Sequence, residues 1–206
     1  MKKISLNSYS SALVLAVGLF AATLPAAGQS ILININEANP SAVQFIATVN
    51  NAIANDSSQY NLFGVDLLSY FTAAQSVGGA VLSSTLIPAG TTSAYTQWFP
   101  DNLHVASSVD LNLYATGTAQ FQTFSTSSPA FTGTAIINLS SLIAALPSTG
   151  ASGNIYAGDA RSPGGVIIGT WTVVPEPPVE AQLALGAMVL AGLALVRRAR
   201  RVAARR

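Results

Sequence analysis

The sequence predicts an all-β fold, a single β-sandwich or jelly-roll-like domain, and three observations carry that expectation. Apolar residues recur at every second position in short runs, the period of a half-buried strand. Clusters of Gly, Pro, Asn and Ser separate the runs and supply turns. The chain has no cysteine, and the stretch of about 146 residues between its apolar ends is long enough to bury a core without crosslinks.

The first clear alternation is Val43, Phe45, Ala47 and Val49, which share one face of a strand. In the run Val109–Thr116, Val109, Leu111, Leu113 and Ala115 face inward, leaving Asp110, Asn112, Tyr114 and Thr116 on the other side. Gly79–Ile87, Ala119–Thr126, Thr132–Leu139, Asn154–Ala157 and Val166–Val174 complete a set of about eight or nine strands, the number a sandwich uses. Two stretches read as helical turns. Leu67–Ala74 is one, and Ser140–Leu146 is the other, with Ser140 as cap, Leu142, Ala145 and Leu146 on one face, and Pro147 as the stop. Turn chemistry places loops at Ala54–Ser58, Pro88–Gly90, Pro100–Asn102, Ser127–Pro129, Pro147–Gly153 and Ser162–Gly165.

The ends are organised differently from the body. Lys2 and Lys3 precede the apolar run Ala12–Leu24, and Ala26-Ala27-Gly28 supplies small residues for cleavage, so residues 1–28 read as a signal peptide for the Sec machinery and signal peptidase. A passenger domain over 29–173 follows. In the segment 174–206, Pro175-Glu176-Pro177 is followed by Pro178 and by an apolar stretch from Ala181 to Val196. The basic tail 197–206 then begins with Arg197, Arg198, Arg200 and Arg201. The sixteen residues 181–196 make a helix of roughly 24 Å against a hydrocarbon core of about 30 Å. Arginine snorkelling makes up the difference. Six arginines after Val196, against Glu176 and Glu180 before Ala181, orient the C-terminus toward the cytoplasm and the body outward.

That order of proline motif, short span and basic stop resembles the PEP-CTERM sorting signal of Gram-negative bacteria. The resemblance implies an exosortase-type membrane protease as partner, with Glu176 in its recognition motif, and with the helix presenting that motif and the arginines holding the helix until the cut. It also implies an inner-membrane precursor, a mature protein at the cell surface or beyond it, and an association with biofilm and exopolysaccharide.

Discounting the two ends changes the electrostatics. Gln29–Val174 keeps Glu37, Asp56, Asp66, Asp101, Asp110 and Asp159 against Arg161 alone, a net charge of about −5 without any lysine. Such a body has no basic surface for nucleic acid. The absence of cysteine excludes disulfides, thiolate metal sites and cysteine nucleophiles.

No catalytic activity is expected. His104 is the only histidine, and Gly150-Ala151-Ser152-Gly153-Asn154 lacks the closing glycine of a nucleophile elbow. A pair of carboxylates suffices for glycoside hydrolysis, and Asp66 and Asp110 are the most strand-like acids; on the outer face of a sheet they serve solubility. Calcium is the conceivable cofactor, through loop oxygens around Asp56, Asp101 and Asp159, although Asn and Asp in those loops equally make Asx turns. A carbohydrate-binding surface would need exposed rings. Tyr95 and Phe99 share a face opposite Trp98, and Trp98 and Trp171 read as core fillers.

Overall fold

The computed structural model describes residues 30–59, 64–101, 109–117, 121–158 and 166–175. Among them the fold is all-β. In chain order the strands are β1 (Ile31–Asn36), β2 (Val43–Ala47), β3 (Asp56–Gln59), β4 (Val65–Leu67), β5 (Gly79–Ala80), β6 (Ser83–Ser84) and β7 (Ile87–Pro88). They continue as β8 (Gln97–Asp101), β9 (Asp110–Tyr114), β10 (Phe121–Phe124), β11 (Phe131–Thr132), β12 (Thr134–Ile137), β13 (Ser152–Ala157) and β14 (Ile167–Val173). Pro40–Ala42 and Ser140–Ala145 form 3-10 turns.

Ten strands form one sheet in the order β5-β8-β9-β4-β13-β14-β1-β2-β12-β6, while β3 pairs with β10 and β7 with β11 in two small ladders. Every pairing in the large sheet is antiparallel except that of β1 with β14, which lie side by side near its centre and run in the same direction. The two outermost strands, β5 and β6, belong to one stretch of chain. Its Val81 N–H donates to the Thr96 carbonyl at 2.9 Å, and the next residue, Leu82, donates to the Ile136 carbonyl at 2.8 Å. The chain thus leaves one edge of the sheet and joins the other within a single residue, so the sheet curls round on itself. Gly79–Ile87 is therefore a sequence of short pieces with different partners, where the apolar pattern predicts one strand.

The core lies on the face shared by Val65 and Leu67 of β4, Leu111 and Leu113 of β9, and Ile155 and Ala157 of β13, all fully buried and in register. An aromatic cluster extends it. The Tyr70 ring lies 4.9 Å from Phe71, 5.5 Å from Trp171 and 5.8 Å from Phe45, with edge-on or tilted geometries that ring quadrupoles favour. Trp171 sits directly across from Gly153, and its indole N–H reaches the Leu68 carbonyl at 3.2 Å.

Several expectations are corrected. Val49 is 85 % exposed, because β2 ends at Ala47 and the chain turns where Thr48 Oγ1 and Asn50 Nδ2 donate to the Ile31 carbonyl. Leu67–Ala74 is no helix. It holds a tight turn with Ser69 at φ 55°, whose N–H donates to Asp110 Oδ1 at 2.6 Å. The turn at Ser140 forms, with Leu142 and Ala145 buried as predicted, but Asn138 performs the capping. Its Oδ1 accepts from both the N–H and the hydroxyl of Ser140. Strands β1, β3, β4 and β8 stand outside the predicted set, and β3 and β8 occupy parts of the predicted loops Ala54–Ser58 and Pro100–Asn102.

Candidate functional site

The parallel pairing of β1 and β14 decides where the site lies. Because the two strands run alongside with Ile35 opposite Val173, they end together, and the chain leaves β1 at Glu37 close to where it leaves β14 at Val174. The exit is firmly held. Val174 N–H donates to the Ile35 carbonyl, and Gly150 N–H to the Val173 carbonyl, each at 2.9 Å. Pro175, next in the chain, is exposed.

Between these strand ends and the Ser140–Ala145 turn lies a cleft of about 520 Å³, within the size range of small-ligand sites. Leu146, Pro147, Val173 and Pro175 give it apolar walls, Ile143 stands at its rim 58 % exposed, and Ser148 and Thr149 contribute hydroxyls. Glu37 is the charged residue lining it. The Tyr70 hydroxyl donates to Glu37 Oε1 at 2.5 Å. Since the Tyr70 ring is locked in the aromatic cluster, that bond fixes the carboxyl as well.

Burial raises the Glu37 carboxyl from its ordinary value, and the hydrogen bond from Tyr70 draws it partly back. The phenol is pushed well above its usual value by burial first, then by the Glu37 charge and by their hydrogen bond. Among the described residues there is no lysine or arginine. The cleft is consequently an acidic recess, lined by polar and apolar groups alike, with one oriented carboxylate.

The sequence-predicted residues fall elsewhere. Asp56 opens β3 and pairs across to Phe124 in a small ladder, whereas Asp101 ends β8 in the large sheet opposite Asp110. Asp159 lies outside the described residues. Among those described, no group of three acidic or histidine side chains is placed to hold a metal ion. Of the sorting motif Pro175 is described; Glu176, Pro177 and the arginines Arg197, Arg198, Arg200 and Arg201 lie outside, as do His104, the signal peptide 1–28 and the predicted span 181–196. Among the described residues no helix is long and apolar enough to cross a membrane.

Asp66 and Asp110 are wholly buried, contrary to the expectation of a solvent-facing role. They share a sheet face with Asn112, which is directly opposite Asp66 and donates from Nδ2 to the Val65 carbonyl at 3.2 Å. Asp110 helps to build the Ser69 turn. The Gly150–Asn154 segment is a turn leading into β13, so Ser152 sits at a strand start and not on a strand-to-helix elbow. Trp98 and Trp171 fill the core at 5 % and 1 % exposure, while Phe99 is half exposed. Tyr95 is fully buried, its hydroxyl donating to Gln122 Oε1 at 2.8 Å, and so offers no ring to a ligand.

Glu37 and Tyr70 escaped sequence reasoning because they are 33 positions apart and neither belongs to a motif. The available signal was weak: an acid in the turn Asn36-Glu37-Ala38-Asn39-Pro40, just after an apolar strand. Comparison with known protein families, with curated proteins and with solved structures finds no match to this chain.

Proposed function

We propose that the chain is an exported protein carried to the inner membrane by its signal peptide and processed there by an exosortase-type protease. The mature part then serves at the cell surface or in an extracellular, polysaccharide-rich matrix as a non-catalytic β-domain, and its curled sheet acts as a sandwich-like body. The observation that carries this reading is the order of features in the tail: Pro175-Glu176-Pro177, sixteen residues from Ala181 to Val196, then six arginines. The length supports a single span, the arginines support its orientation, and the prolines support an extended segment that a protease can grip. The body is compatible with this role. The last described strand ends at Val173, two residues before the motif, so a cut within the motif leaves that strand and the Val174–Ile35 bond in place.

The test is to follow maturation of the full chain in a host with the protease. Glu176→Ala should accumulate as an uncut, membrane-held precursor. Maturation at the wild-type rate would refute the sorting reading.

A further inference from the structure

We infer that the cleft beside Pro175 is the second half of the protease's docking surface, so that Glu37 of the folded body is read together with Glu176 of the tail. This rests on the sorting reading above. The first argument is steric. Pro175, the first residue of the motif, lines the cleft. Because Val174 is tied to Ile35, no spacer separates motif from body. A protein that grips the motif from Pro175 onward therefore meets the cleft, where Ile143 is exposed.

The second argument is charge. A partner that recognises Glu176 does so with basic groups, and the cleft presents a further carboxylate with its orientation fixed by Tyr70. The described body has no cation to compete for it. Glu37 and Pro175 come together only through the β1–β14 pairing, since they are contributed by opposite ends of the body. The two-part surface thus exists only in a folded chain, and it makes the cut conditional on folding.

The alternative is that Glu37 merely accepts the Tyr70 hydroxyl. Glu37→Gln separates the two, because glutamine keeps an acceptor for Tyr70 and removes the charge. In pulse-chase of the full chain, Glu37→Gln and Ile143→Arg should each slow maturation at least threefold. Val49→Arg, exposed near the other end of β1, should mature at the wild-type rate. If Glu37→Gln lowers the urea midpoint, Ile143→Arg decides, since that side chain is already 58 % exposed. Wild-type rates for both cleft variants while Glu176→Ala stalls would overturn the inference and leave the sorting reading intact. Normal maturation of Glu176→Ala would remove both.

Discussion

Replacing Tyr70 by phenylalanine isolates the bond that positions Glu37. The ring stays among Phe45, Phe71 and Trp171, so packing is conserved and only the hydroxyl is lost. A hydrogen bond to a charged group contributes about 1.5–3 kcal/mol, and the half-buried carboxyl recovers some solvation from water, so the expected cost at pH 7 is about 1–2 kcal/mol. For a domain of this size that lowers Tm by roughly 2–4 °C per kcal/mol. The cost must depend on pH. Burial raises the Glu37 carboxyl, so the folded chain binds its proton more readily than the unfolded chain. The associated stability is fully present below the ordinary carboxylate range and is lost as pH rises through the folded titration. The Tyr70 bond opposes that loss, being roughly twice as strong to the ionised carboxylate as to the neutral acid. Urea denaturation of both proteins from pH 3.5 to 8 should show the penalty about doubling over the titration of Glu37. A penalty independent of pH, or none at all, would refute the assigned bond.

Two further substitutions probe the sheet. In Gly153→Ala the added Cβ would stand 2.5 Å from the Leu68 carbonyl oxygen and 2.7 Å from Trp171 Nε1. The indole must shift, at an expected cost of about 1–3 kcal/mol, with a red-shifted tryptophan emission; unchanged emission and urea midpoint would contradict the packing. Gly133→Ala puts a Cβ 1.9 Å from the Thr85 carbonyl at φ 84°, where β6 meets β12. It should cost at least about 2 kcal/mol and accelerate amide exchange at Thr85 and Thr134. Exchange as slow as in the wild type would count against closure at that point.

Alternation made the all-β class legible, and it placed Leu111 and Leu113 of β9, with Ala115 just beyond it, on the core face. It failed where a side chain's fate depends on what covers it. Asp110, Asn112 and Asp66 alternate with apolar residues as solvent-facing groups do, yet they are buried, because both faces of β4 and β9 are covered. Polarity records what a residue can bond to, not where it lies. Leu67–Ala74 was misleading for a related reason: its local helical character yields to a carboxylate 41 positions beyond Ser69. The cleft was hidden most deeply. It is assembled from strand ends and a turn that meet only through pairings distant in sequence, and no local pattern encodes a shared exit.

The adjacency of β1 and β14 also governs the order in which the fold can be completed. The first and the last of the described strands are hydrogen-bonded neighbours near the centre of the sheet, so its two halves, joined on the far side through Val81 and Leu82, meet here only once Ile167–Val173 is available. A chain shortened before Ile167 would expose an open edge on β1 and another on β13, both suited to pairing with other molecules. Contacts so distant in sequence form slowly. This part of the sheet is thus completed late, when the residues immediately before the tail arrive, and until then β1 and, once made, β13 each keep an unprotected edge.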